Sequence, residues 1–387
     1  MGDSIKIGSL AGVPVRLHIT FLLIIPVFSY VIGKDITYTV RLLETVYATG
    51  DLDVSVLAAG YTPYLLGAAV TLCLFAAVFL HEMAHCLIAM RYGHRVTEVT
   101  LMLLGGISVI EDHGRSTPKS EFWISISGPV ASLLIGILSS AVAYAIVGYT
   151  PLLTESPLTG LILFYIFGYL GILNVFLFLF NMIPAFPMDG GRILRGLLSL
   201  RLPRTRATKI ASDIGKIFAV LFAVAGIIWL NFLLILIALF IYFGAAQENS
   251  MTELSERIKG VRVTDAMNGN VTYVYDSDLI CDVAAKLSSE MVSGCPVING
   301  MGHVVGMISR KEVDGVSGAD AFTVTAGEVI TGNLFGVTSD ATLYDALVMM
   351  SDKDVDILPV FEGTEIIGLV SSTSVMRYSQ EFGEITG

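Results

Sequence analysis

The sequence predicts a multi-domain chain: a polytopic α-helical membrane domain with six transmembrane helices, followed by a soluble α/β pair built from a repeat. Three observations predict it. Of 387 residues, 54% are hydrophobic and 15% charged, with a mean hydropathy of +0.75, against about 25% charged in ordinary soluble domains. Long uncharged runs are confined to the first 247 residues. Beyond residue 260 the chain repeats itself at a spacing of about 63 residues. Charge divides the same way: the net is +2 before residue 248 and −13 after it, which makes up the formal −11. This excludes a plain cytosolic enzyme, a disordered chain and a nucleic-acid binder, since an acidic surface repels nucleic acid. Cys73, Cys86, Cys281 and Cys295 form no CxxC pair, so no disulfides and a reducing compartment for the tail are expected.

A spanning helix needs about 20 apolar residues. Residues 17–33, 63–90, 122–148 and 158–183 supply four such runs. Residues 217–247 carry no charge, and one helix of that length would run roughly 46 Å against a hydrocarbon core of about 30 Å. A split at Asn231 makes two spans, one from near Ala207 and one over 232–246; a single long tilted helix is the alternative. Loop bases set the orientation. One side carries Lys6, Arg16, Arg91, Arg95, Arg115, Lys119, Arg192, Arg195, Arg201, Arg204, Arg206 and Lys209; the other carries Lys34 and Arg41. The basic side is read as cytoplasmic, which puts both termini in the cytosol and the protein in the cell membrane. The first run lacks a small-residue cleavage site and is read as a retained span.

The second span contains His81-Glu82-Met83-Ala84-His85. Helical residues four apart share a face, so both imidazoles can bind one metal. Glu82 lies about 100° from His81 and about 60° from His85. That is off the ligand face but within reach of a water the metal activates, the arrangement a zinc hydrolase needs. Three ionisable groups within five residues of a membrane helix are costly to insert, which points to function. Catalytic zinc takes three protein ligands, and the remaining histidines do not fit. His18 begins a span, His94 and His113 lie in a polar loop, and His303 is in the tail; Cys86 faces away and is read as packing. Asp189 is the best third candidate, in Asn181-Met-Ile-Pro184-Ala-Phe-Pro187-Met-Asp189-Gly190-Gly191. The prolines break the fourth helix, and the glycine pair permits close backbone approach before a helix restarts at Arg192. A helix-capping Asp is the plainer alternative. Both halves of the site fall at similar depth, with His81 roughly 15 Å from the basic end of its helix.

These residues carry a resemblance. His81-Glu82-x-x-His85 in a membrane helix, with Asn181-x-x-Pro184-x-x-Pro187-x-Asp189-Gly190 about a hundred residues later, resembles the site-2 protease family of intramembrane zinc metalloproteases. Gly105-Gly106 and Ser127-Gly128-Pro129 are similar to weaker family features. The family often has Asn where this chain has Ser132, so position 132 is assigned no role. The resemblance implies one zinc per chain, with His81, His85 and Asp189 as ligands and Glu82 as general base. It also implies regulated intramembrane proteolysis of single-span substrates. Asn181, an amide in an apolar stretch, needs partners. It either donates to the oxyanion or holds the broken backbone together. Residues 99–110 are too short to span and read as a re-entrant strand or hairpin, an edge to which an unwound substrate can pair.

In the tail, Val274–Asp282 aligns with Val337–Asp345, Cys295-Pro296-Val297 with Leu358-Pro359-Val360, and Gly306–Ser309 with Gly368–Ser371. The pattern is similar to a tandem pair of cystathionine-β-synthase-type (CBS) domains, which commonly sense adenine nucleotides. The family's ribose-binding Ser/Thr-x-x-Asp is represented by Ser309-x-x-Glu312, and departs at Ser371-x-x-Ser374. The resemblance implies an adenine nucleotide at Ser309 and Glu312, or else a structural pair that forms a homodimer. The expected organisation is a membrane metalloprotease domain at 1–247, a charged linker at 248–259 and cytosolic CBS repeats at 260–320 and 321–387. The partners expected are a single-span membrane protein substrate and the lipid bilayer, and no nucleic acid. The competing reading is a CBS-gated ion or metal transporter using the same His/Glu/Asp cluster.

Overall fold

The computed structural model describes residues 4–381 apart from 51, 54, 103–104, 112–116, 149–156, 317 and 331–333. His113 therefore lies outside the described residues. The chain forms two compact units, Met1–Asn249 and Ser250–Gly387.

The first unit opens with two strands that the apolar runs did not announce. Strands β1 (Ser4–Leu10) and β2 (Val13–His18) pair antiparallel about Ala11 and Gly12, both at positive φ. Helix α1 (Ile19–Lys34) follows, shorter than a full span, then bends by 69° into α2 (Ile36–Tyr47). The segment read as a loop is thus helical: Ile36, Val40, Leu43 and Tyr47 repeat at helical spacing and are all buried, while Arg41 stays outward. Helix α3 (Thr62–Arg91) carries the two metal-ligand histidine candidates. Strands β3 (Arg95–Met102) and β4 (Gly105–Glu111) form a hairpin over the expected stretch, with Val99 opposite Ser108 and Leu101 opposite Gly106. β2 pairs parallel to β3 through Val15 and Val99, giving the order β1-β2-β3-β4.

Helices α4 (Pro118–Gly148) and α5 (Pro157–Asn181) complete the core around α3. Helix α6 (Asp189–Leu198) restarts three residues before the expected Arg192. Asp189 then sits in the first turn, where a carboxylate is favoured by the helix dipole. The restart needs both glycines. A Cβ on Gly190 would stand 2.7 Å from the Ile183 carbonyl carbon, and one on Gly191 2.7 Å from that of Ala185. The uncharged run does divide at Asn231, into α7 (Arg204–Ile228) and α8 (Phe232–Ile258). Leu230 takes the left-handed conformation, and Asn231 Oδ1 accepts the Leu234 N–H at 3.1 Å, capping α8. Five helices are long and apolar enough to cross a membrane, six if bent α1–α2 is one span. The charged link does not fray, because α8 continues through it to Ile258.

The second unit holds two three-stranded sheets of the same design. Strand β5 (Val274–Tyr275) runs parallel to β6 (Gly294–Ile298), which pairs antiparallel with β7 (Val304–Ser309). Strands β8 (Val337–Thr338), β9 (Ile357–Glu362) and β10 (Glu365–Ser371) repeat the arrangement. Register follows the internal alignment: Val274 opposes Val297 and Val297 opposes Gly306, as Val337 opposes Val360 and Val360 opposes Gly368. The lead segments are exchanged. Ile258 and Val263 are buried with Val337 and Leu343, whereas Ala326 joins the core of Val274, Ile280 and Ile308.

Candidate metal centre and catalytic site

His81 and His85 point from one face of α3 toward α4 and α6. His85 Nδ1 donates to the Ile124 carbonyl at 2.6 Å, and His81 Nδ1 lies 2.8 Å from the Ser132 hydroxyl. Both anchors belong to α4. They fix the rings so that each presents Nε2 to the same point, as outer partners of ligating imidazoles do. The two Nε2 atoms are 3.2 Å apart, and Asp189 Oδ2 lies 3.2 Å from that of His81 and 3.3 Å from that of His85. Ligands at about 2.0–2.1 Å from a tetrahedral zinc stand about 3.3 Å from one another. The three atoms therefore form one face of such a tetrahedron. His85 donates through Nδ1, so its Nε2 offers a lone pair toward a carboxylate, a donor set that calls for a cation. Gly128 of α4 passes directly beside them, where a Cβ would lie 2.6 Å from His81 Nε2.

Glu82 is half-buried, turned toward the β3–β4 hairpin, and a Cβ on Gly106 would come 3.0 Å from its carboxyl carbon. Asn181 ends α5 and donates Nδ2–H to the Leu177 carbonyl at 3.1 Å. One of its N–H groups thus serves its own helix.

Three residues, Ser132, His94 and Arg195, stand differently from the sequence expectation, while His18 begins the first helix as expected. Ser132, given no role, is fully buried and touches His81. Its signal was a run of serines every seven residues on one apolar helix, Ser125, Ser132 and Ser139, all buried. His94, read as an exposed loop residue, is buried at 6% because β3 begins immediately after it. His18 caps α1 by accepting the Thr20 N–H. Arg195, counted with the loop bases, is 4% exposed. Its Nε donates to Glu121 Oε1 and its Nη1 to Glu248 Oε1, each at 2.5 Å, and its guanidinium carbon lies 5.0 Å from the Phe186 ring centre. Cys86 packs with Val13, Met83 and Val99, as expected.

In the second unit, Ser309 and Glu312 are joined in a capping box. Glu312 Oε2 accepts the Ser309 N–H at 2.8 Å and also meets its hydroxyl. They bound a cleft of about 20 Å³ with Met307, Phe335 and Asp356. A second cleft of about 110 Å³ is lined by Asn268, Ser293, Ser371, Ser374 and Arg377.

Two imidazoles and a carboxylate that could hold a metal ion converge among apolar helices, the architecture of a membrane-embedded metal-dependent hydrolase. Residues 69–222 match the model of peptidase family M50, and residues 263–316 and 326–381 each match the CBS domain. The zinc metalloprotease MJ0392 of Methanocaldococcus jannaschii is 30% identical over 377 residues, 97% of this chain and 96% of that one. Rip3 of Mycobacterium tuberculosis is 27% identical over 396 residues, 97% of this chain and 93% of that one. The solved structure of a site-2 protease from M. jannaschii is 32% identical, covering 64% of this chain and 95% of that one, at a TM-score of 0.40. The chain belongs to peptidase family M50, the site-2 proteases. It is a multi-pass intramembrane zinc endopeptidase with a tandem CBS pair.

Proposed function

We propose that His81, His85 and Asp189 hold the single zinc ion and that Glu82 is the general base of peptide-bond hydrolysis within the bilayer. The near-equal spacing of the three ligand atoms, 3.2–3.3 Å, carries this reading. Zinc held there supplies Lewis acidity to water and to the scissile carbonyl. Glu82 takes the proton of the attacking water and returns it to the leaving amine. The histidines are unsuited to that work, since their Nδ1 atoms are engaged by α4 and their Nε2 atoms face the metal. Asn181 has a second N–H beyond the one given to Leu177, and that group donates to the developing oxyanion. Substrates are single-span membrane proteins, held in extended form against the β4 edge of the four-stranded sheet.

The distribution of loop bases supports a location in the cell membrane with both termini in the cytosol. The CBS pair takes an adenine nucleotide, with Ser309 and Glu312 offered to its ribose, modulates cleavage and forms a homodimer contact. The zinc-loaded full chain, incubated with single-span membrane peptides, tests the catalytic assignment. Glu82→Gln is expected to keep zinc and lose cleavage, whereas His81→Ala and Asp189→Ala lose both. Zinc loss in Glu82→Gln equal to that in His81→Ala would move Glu82 into the ligand set and overturn the assignment. Calorimetry with ATP on the full chain tests the second part. Binding abolished by Glu312→Ala supports it; binding abolished only by Arg377→Ala moves the ligand to the other cleft.

A further inference from the structure

Helix α6 is ten residues long and begins at Asp189. Its far end holds Arg195, six residues and about 9 Å along the axis. Three elements meet that guanidinium: Glu121 from the first turn of α4, Glu248 from α8, and the Phe186 ring from the turn just before Asp189. Next to it, a Cβ on Gly196 would lie 3.2 Å from the Phe122 nitrogen and 3.2 Å from the Pro118 carbonyl oxygen, so α6 and α4 touch backbone to backbone here. Helix α4 also supplies Ile124, Gly128 and Ser132, the groups that hold and border the two imidazoles. One guanidinium thus fixes the helix of the aspartate against the helix that orients the histidines.

A buried arginine shared by two carboxylates is a poor device for stability alone, because desolvation offsets much of its attraction. It is a good device for position, since the planar fork donates to carboxylates in fixed directions. Glu248 is the partner supplied by the last helix of the unit. It lies on α8, which runs unbroken to Ile258, and Ile258 is fully buried in a core of the second unit. Arg192 and Arg204 also act on Glu248 electrostatically, so it is held within a cationic setting.

We propose that Arg195 is a positioning residue for Asp189, and that its ion pair with Glu248 makes the zinc affinity of the site depend on the placement of the last helix. The proposal rests on the reading of Asp189 as a ligand. Metal–ligand distances tolerate only about 0.2 Å. A displacement of Glu248 leaves Arg195 to Glu121 alone, and α6 settles toward α4 with Asp189 at its tip.

The test uses the full chain, with zinc affinity from chelator competition and the visible absorption spectrum of the cobalt(II)-substituted protein. Glu248→Gln keeps the shape and one acceptor but removes the charge. It is expected to raise the zinc dissociation constant about tenfold, the lower end for loss of an outer partner, and to alter the cobalt spectrum with helix content unchanged. Glu248→Asp keeps the charge and is expected to fall between it and the parent; it carries the test if the glutamine variant does not fold. Arg195→Lys should behave like Glu248→Gln, because one ammonium cannot serve both carboxylates in the same geometry. Asp189→Asn is measured alongside. If it leaves zinc affinity intact, the ligand reading fails and the proposal falls with it. If it weakens zinc while folded Glu248→Gln and Glu248→Asp match the parent in affinity and spectrum, the proposal alone is overturned, and Arg195 is a packing clamp.

Discussion

Ser132 is not among the proposed ligands, yet its hydroxyl lies 2.8 Å from His81 Nδ1, the ring nitrogen opposite the one facing His85 and Asp189. Removing it leaves a buried nitrogen without that partner and frees the ring to turn. Ser132→Ala is therefore expected to weaken zinc by roughly 10–100-fold with little change in fold, as chelator competition would register. Unchanged affinity would reduce this contact to packing. Cys295 makes a contrasting case in the CBS unit. It is fully buried, and burial pushes its thiol up to about 12. The native thiol is protonated and unreactive at neutral pH, so alkylation of the folded chain should label half-buried Cys281 before Cys295. In the unfolded chain the thiol ionises near about 8.5. The folded state, which cannot release that proton until about 12, loses stability as pH rises through this window. Urea midpoints at pH 7 and pH 10 should diverge in the parent and converge in Cys295→Ala.

At the scale of elements, α3 is seated by close backbone approach as much as by its apolar surface. A Cβ on Gly67 would lie 3.1 Å from the Ser29 carbonyl carbon, so α1 and α3 touch there with no side chain between them. Gly67→Ala should push α1 outward at a cost of about 1–3 kcal/mol, read as a lower unfolding temperature in detergent; an unchanged temperature would mean that α1 shifts freely. The legibility of these elements in the sequence followed their solvent. Helices facing lipid need long uncharged runs, and the break at Asn231 could be reasoned from length alone. Helix α2 escaped notice because its buried stripe includes the charged Glu44 and lies beside Arg41. The β1–β2 hairpin escaped because Ile5 and Ile7 remain exposed, giving no inward-facing alternation. At the site, the convergence of His81, His85 and Asp189 was readable from the motifs. The groups that aim them were not, since Ser132, Ile124 and Gly128 matter through position. Likewise Arg195 reads as one more base until Glu121 and Glu248, 74 and 53 residues away, are seen beside it.

For the whole molecule, the two units differ in what completes them. The CBS unit closes its cores from its own chain by exchanging lead segments, Val263 into one and Ala326 into the other. The membrane unit brings two imidazole nitrogens and a carboxylate oxygen to within 3.3 Å of one another, and acceptors so close repel unless a metal cation or a proton lies between them. With zinc at the proposed ligands, its stability becomes a function of metal activity as well as of packing. By mass action, each tenfold of free zinc above the dissociation constant adds about 1.4 kcal/mol to the folded state, provided the unfolded chain does not compete. A chelator titration should therefore lower the first melting transition progressively and leave the second in place; a common shift of both would show that the units unfold together. Below the dissociation constant, zinc scarcity would shorten how long the protease survives in the membrane as well as stop it cutting.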